Sequence, residues 1–100
     1  MKHGAVRLTY LEHAEPESTP QVAYALGRKF GNAVERNRAR RRLRDAFAQS
    51  WDHHQQAIEP ALRLDGAFLL SGNRNLLRAP LSQLVADLNA CLNTLMERRQ

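Results

Sequence analysis

Apolar and polar positions alternate over residues 5 to 11, AVRLTYL. Val6, Leu8 and Tyr10 fall on one side, and Arg7, Thr9 and Leu11 on the other. A period of two predicts a strand. EHAEPESTP follows, acidic and broken by Pro16 and Pro20, and reads as a loop. Residues 21 to 26, QVAYAL, alternate again, with Val22, Tyr24 and Leu26 on one face. The loop between the two strands predicts that they are antiparallel neighbours. Gly27 and Gly31 bracket Arg28-Lys29-Phe30, a turn whose backbone can approach something closely.

The period then changes. A helix is predicted from Asn32 or Ala33 to about Gln49, with Asn32 placed to cap it. At about 100° per residue, Ala39, Leu43, Ala46 and Phe47 share one narrow face. Asn37, Arg40, Arg41 and Arg44 share a neighbouring face, with Arg38 and Arg42 further round. In SWDHHQQAIEPALRLDG, Trp51, Ile58 and Leu62 would continue a helix, whereas Pro60 argues for a break. GAFLLSG, residues 66 to 72, reads as a short central strand bounded by glycines, with Asp65 shaping its entry. NRNLLRAP reads as a loop. From Leu81 a second helical stripe appears, Leu84, Val85, Leu88, Leu92, Leu95 and Met96, with Ser82 as its expected cap. Arg98 and Arg99 stand at its C-terminal end, where the helix dipole favours cations. The order strand, strand, helix, strand, helix predicts an α+β fold with helices on a sheet. The 100 residues form a single domain.

Charge changes the picture because it is local. The chain carries +5 overall. Residues 28 to 44 alone hold eight Lys/Arg against one acid, Glu35, for a net +7, and the remainder is net −2. Six arginines fall between Arg36 and Arg44. Like charges three or four apart destabilise an isolated helix by roughly 0.2–0.5 kcal/mol per pair. Arg36/Arg40, Arg38/Arg41, Arg38/Arg42, Arg40/Arg44 and Arg41/Arg44 are such pairs. A solvated surface helix is one reading. The scarcity of offsetting acids favours the other, a nucleic acid whose phosphates repay the repulsion by charge-assisted bonds and counterion release.

Other chemistry is sparse. His3, His13, His53 and His54 lack Cys or carboxylate partners at zinc spacing, and His53-His54 reads as an exposed loop pair. Cys91, the one cysteine, reads as a core thiol and fits a reducing compartment. No catalytic or metal-ligating set is expected. The longest strongly apolar run, Ala67-Phe68-Leu69-Leu70, cannot span a bilayer, and MKHGAVRL is no signal peptide, so a cytoplasmic protein is expected.

GRKFGNAVERNRARRRLRDAF, residues 27 to 47, resembles the signature of the protein subunit of bacterial ribonuclease P. The matching positions are Arg28, Lys29, Gly31, Ala33, Val34, Arg36, Asn37, Arg38, Arg40, Arg41, Leu43 and Arg44. The strand pair, the 65–70 strand and the last helix fall in the family's order, so the resemblance covers most of the chain. It implies a mixed sheet of three to four strands packed by two helices, with a left-handed βαβ crossover around the basic helix, against the usual handedness. It implies a non-catalytic subunit of a ribonucleoprotein endoribonuclease. The partner RNA cuts the 5′ leader from precursor tRNA using Mg²⁺, and the protein itself holds no cofactor. The expected partners are the catalytic RNA and precursor tRNA, with no membrane and no obligate protein partner. Arg28, Lys29, Asn32, Arg36, Asn37, Arg38, Arg40, Arg41 and Arg44 are the expected RNA-binding residues.

Tyr10 and Tyr24 carry two readings. One is core packing with the hydroxyl reaching water. The other is a stacking platform for leader bases, and Tyr10 aligns with an aromatic of the family's leader-contacting strand. Phe30 is expected to plug the turn, and Phe47, Trp51 and Phe68 to join the core. The family's N-terminal helix is expected to be missing here. Its Arg-x-Gly on the second strand reads Gln21-Val22-Ala23, and its strand-ending Ala-Arg reads Ser71-Gly72, with Arg74 as a substitute. The alternative is a generic structured-RNA-binding or ribosome-associated module with no part in tRNA processing. A DNA-binding module is disfavoured for want of a second helix placed for a helix-turn-helix. A membrane-surface helix is disfavoured by its narrow apolar face.

Overall fold

In the computed structural model, which describes residues 1–12, 21–57 and 66–99, two helices lie on one face of a four-stranded sheet. The strands are β1 (Lys2–His3), β2 (Val6–Glu12), β3 (Gln21–Tyr24) and β4 (Gly66–Gly72). The helices are α1 (Ala33–Ala57) and α2 (Leu81–Arg99), and a 3-10 turn covers Arg74–Leu77. The spatial order is β1-β2-β4-β3. β1 and β2 are antiparallel, as are β2 and β4, while β3 runs parallel to β4.

This order corrects the expectation that the first two long strands pair. β4 lies between them: Leu8 faces Leu70 and Leu70 faces Tyr24 in one row, while Tyr10 faces Phe68 and Phe68 faces Val22 in the next. The reason lies in burial. Phe68 and Leu70 on β4 are fully enclosed, whereas Val22 and Tyr24 on β3 are only half-buried. The strand with the most apolar inner face takes the centre, and β3 is left at the edge. Parallel pairing of β3 with β4 needs a long connection, which α1 supplies.

The alternation on each strand sorts the two sheet faces. Val6, Leu8, Phe68 and Leu70 point towards the helices, with Ala39, Leu43, Ala46 and Phe47 of α1 and Leu84, Leu88, Leu92, Leu95 and Met96 of α2 completing the core. Arg7, Thr9, Leu11, Ala23 and Leu69 are exposed on the other face. Phe30 is buried, as expected of a turn plug, and Cys91 lies in the core with its thiol pushed up by burial. Trp51 is half-buried against Phe47 and Phe68, at ring centroid distances of 5.8 and 5.3 Å. The buried Ser50 hydroxyl donates to Asn89 Oδ1 at 2.6 Å, a polar tie between the helices.

Several boundaries differ from the sequence reading. α1 continues past Gln49 to Ala57, because Ser50 and Trp51 extend its core-facing side. His53 and His54 therefore sit on a helix rather than in a loop. The readings of Ile58, Pro60, Leu62 and Asp65, and of the loop over 13–20, lie outside the described residues. β1 and the 3-10 turn were not anticipated; both are too short to show a period. Ser82 lies inside α2, and the carbonyl of Pro80 accepts the first helical bonds from Gln83 and Leu84.

Candidate nucleic-acid interface

The interface is built from the turn before α1 and from the helix itself. Asn32 caps α1: its Oδ1 accepts the N–H of Glu35 at 2.8 Å, and Glu35 Oε1 accepts the N–H of Asn32 at 3.2 Å. This reciprocal pair is a capping box, which satisfies two of the unpaired donors at a helix start. Glu35 also reaches Arg74, whose other guanidinium nitrogen donates to the carbonyl of Phe30 at 2.6 Å. The Arg74 hydrogen bond first, and the Asn32 backbone bond second, hold the Glu35 carboxyl below the usual carboxylate range. Gly31 lies beneath this pair. A Cβ there would stand 2.6 Å from Glu35 Oε1 and 2.8 Å from Arg74 Nη1. The signature glycine thus makes room for a close approach from within the protein.

With the start of α1 fixed, its outward face follows from the helical repeat. Asn37, Arg38, Arg40, Arg41 and Arg44 are all exposed, while Arg36 is half-buried. Asn37 Oδ1 accepts from Arg40 Nη1 at 2.8 Å, which steadies one guanidinium on the open face. Arg28 and Lys29 are exposed just before the helix, in a turn closed by Phe30 N–H on Gly27 O at 3.0 Å. Arg74–Glu35 is the only ion pair among the described residues, so no described carboxylate neutralises the outward arginines.

The structure thus places Arg38, Arg40, Arg41 and Arg44 on one surface, with Arg28 and Lys29 at its N-terminal end. Asn32 stands with them, but its oxygen is committed to the cap. Arg42 does not belong to this surface. Half-buried, it donates to the carbonyl of Leu76 at 2.7 Å and to that of Ala79, tying α1 to the segment leading into α2. Its angular position beside Ala46, on the flank of the apolar stripe, is the signal for this.

Tyr10 and Tyr24 are half-buried on the helix-facing side of the sheet. Tyr10 packs on Phe68 at a ring centroid distance of 5.1 Å. Burial raises the Tyr24 phenol, against the charge of Arg44, with Asp45 adding to the rise and Arg40 opposing it. The two tyrosines flank β4 on opposite sides, with the enclosed Phe68 and Leu70 between them, and so do not form one platform.

A four-stranded mixed sheet carrying an exposed arginine face on its crossover helix defines a small α+β protein with a surface suited to a polyanion. The chain belongs to the Ribonuclease P family, whose model matches residues 1–96. It is 42% identical over 72 residues to the ribonuclease P protein component of Paramagnetospirillum magneticum, covering 72% of this chain and 49% of that one. It is 33% identical over 86 residues to the component of Brucella suis, covering 86% of this chain and 56% of the relative. Against the component of Acholeplasma laidlawii, identity reaches 64% over 31 residues, 29% of this chain and 27% of that one. The chain therefore spans about half the length or less of these curated relatives. The solved structure of Staphylococcus aureus RNase P protein shares the fold, with a TM-score of 0.63 at 16% identity over 94% of this chain and 77% of that one. No described helix is long and apolar enough to cross a membrane.

Proposed function

We propose that this chain docks on the catalytic RNA of ribonuclease P through the outward face of α1 and assists 5′-leader removal from precursor tRNA. The observation that carries the proposal is the surface made by Arg38, Arg40, Arg41 and Arg44. These four guanidinium groups are exposed on one helix and matched by no described carboxylate. Each guanidinium presents a planar fork that suits a phosphate oxygen pair. An RNA helix laid along α1 would replace repulsion between neighbouring arginines with phosphate contacts and release condensed counterions.

The division of labour we propose leaves the chemistry to the RNA. The acid within the basic element, Glu35, is bound to Arg74 and to the helix start, and is not poised to move a proton. Among the described residues, no three His, Cys, Asp or Glu side chains come together in a metal cradle. We assign the Mg²⁺ of the reaction, which would activate the attacking water, to the RNA, as membership of the ribonuclease P family implies. The protein's part is binding and orientation, in the cytoplasm where precursor tRNAs are matured. Arg28 and Lys29 extend the docking surface beyond the helix start, and Tyr10 and Tyr24 are the candidate contacts for leader bases.

The test is precursor-tRNA cleavage at low Mg²⁺ by a bacterial ribonuclease P RNA, with and without this protein. Stimulation, with no cutting by the protein alone, is expected. RNA binding without stimulation would instead support a general structured-RNA-binding module.

A further inference from the structure

The second turn of α2 carries a carboxylate in an enclosed place. Asp87 is buried, with 8% of its surface exposed. Charged side chains are seldom enclosed this far unless they are paired. Asp87 has no ion pair, since Arg74–Glu35 is the one salt bridge among the described residues. Among those residues it has one hydrogen bond, at Oδ1, which accepts from Gln83 Nε2 at 3.0 Å. A carboxylate has about four acceptor positions, so most of its capacity is unused.

The carboxylate opens into a cavity. Gly4, Asn75, Arg78, Ala79, Gln83 and Asp87 line a concavity of about 480 Å³ between the β1–β2 turn, the 3-10 turn and the start of α2. That volume falls in the range of small-ligand sites, about 300–1,000 Å³. Gly4 leaves the carboxylate uncovered. Its φ is +56°, in the left-handed region, and a Cβ there would stand 2.3 Å from Asp87 Oδ2. Arg78 lines the same cavity, is exposed, and takes part in no ion pair. The cavity thus combines an acceptor-only anion with a guanidinium suited to phosphate, and the two are not spent on each other.

We infer that this cavity binds a guanine nucleotide, with Asp87 accepting from the base and Arg78 holding the phosphate. The chemistry of the acceptor selects the base. Guanine alone among the four RNA bases presents two adjacent donors, N1–H and the N2 amino group, which match the two oxygens of a carboxylate. Adenine and cytosine set an acceptor beside their amino group, and uracil flanks its one donor with acceptors. Each would bring a lone pair against Asp87. The site is separate from the outward arginines. Ala79, one of its walls, also accepts from Arg42, so the cavity and α1 share the segment that leads into α2. A free nucleotide and an unpaired guanine within an RNA offer the same edge, and the test tells them apart.

The experiment is calorimetric titration of the full chain with guanosine 5′-monophosphate (GMP), adenosine 5′-monophosphate (AMP) and guanosine. GMP should bind, with AMP and guanosine each weaker by at least about tenfold, the effect of losing a hydrogen bond to a charged group. Asp87→Asn, which turns one acceptor into a donor, should erase the preference for GMP over AMP. Arg78→Gln should bring GMP down to the affinity of guanosine and keep the preference for guanine. The trinucleotides UGU and UAU place the same bases within an RNA. UGU binding more tightly than GMP would assign the guanine to an RNA, and weaker binding would assign it to the free nucleotide. No binding of GMP or UGU, equal affinities for GMP and AMP, or a preference that survives Asp87→Asn would overturn the inference. Should Asp87→Asn fail to fold, Arg78→Gln changes an exposed position, and an unchanged GMP affinity there would be equally fatal.

Discussion

Glu35 and Arg74 meet at 2.6 Å, joining the first turn of α1 to the 3-10 turn after β4 across 39 positions of sequence. The contact lies over Gly31 and fixes where the cationic helix begins relative to the sheet. Gly31→Ala should displace the pair and lower the unfolding midpoint. On a Glu35→Ala/Arg74→Ala background the same substitution should have little further effect, because both flexible arms it would strike are gone. A double-mutant cycle by thermal denaturation checks this, and additive losses would show that Gly31 serves something else.

The same pair gives stability a pH dependence. The Glu35 carboxyl is held below its ordinary value by the Arg74 hydrogen bond first and the Asn32 N–H second. Its contribution is therefore present above the unfolded carboxylate value, about 4.3, and is lost as pH falls through the lower folded value. The stability gap between wild type and Glu35→Gln should be constant near neutrality and close in acid. Urea titrations across pH 3 to 7 (a range of about four units around the ordinary value) would reveal it. A gap that widened in acid would have the wrong sign.

Arg41 and Arg42 are adjacent in sequence and should fail in different assays. Arg42→Ala removes two donations to main-chain carbonyls from a half-buried guanidinium. It should cost about 2 kcal/mol of stability, by the strength of charge-assisted hydrogen bonds, and leave the RNA salt slope intact. Arg41→Ala should leave stability unchanged or raised and lower the slope on duplex RNA by about 0.9. Denaturant unfolding paired with binding titrations would separate them, and matching behaviour would dissolve the distinction.

Tyr10 needs a substitution that keeps its packing. Tyr10→Leu retains an apolar group against Phe68 while removing the ring. Docking on the catalytic RNA should persist. Affinity for precursor tRNA should fall by roughly 1–3 kcal/mol, the range for a lost stacked base, with mature tRNA unaffected. Equal losses for both would return Tyr10 to the core alone.

Cys91 is buried, and burial raises its thiol. The neutral form is favoured in the fold, so this contribution is full below the ordinary thiol value and lost as pH rises through the folded one. Modification by an aromatic disulfide reagent should be slow in the native protein and accelerate in step with urea unfolding. Rapid native reaction would place the thiol at the surface.

How much of this was legible in sequence depended on range. The α1 cap at Asn32, the apolar stripe through Leu43 and Phe47 and the stripe through Leu84 to Met96 are local patterns, and all three appear in the fold. The place of β3 was not legible. Its alternation suits an edge or a hairpin equally, and only the fuller burial of Phe68 and Leu70 puts β4 in the middle. The Arg run looked uniform, yet Arg42 turns to Leu76 and Ala79, acceptors more than thirty positions away. Charge type can be read from composition, whereas the partner of a charge depends on the fold. The cross-strand opposition of Lys2 and Arg7 was hidden for the same reason, since β1 is too short to announce a register.

The strand order has a consequence for synthesis. β4, which joins β2 to β3, is the last strand to leave the ribosome. Until residue 72 has emerged, β2 and β3 have no shared partner, and the inner face of α1 has no complete sheet to cover. The arginine helix is therefore available to the translation machinery's own RNA before its support exists. A nascent chain stalled short of β4 should bind RNA less discriminately than the finished protein, because its cations are present while the frame that aims them is not.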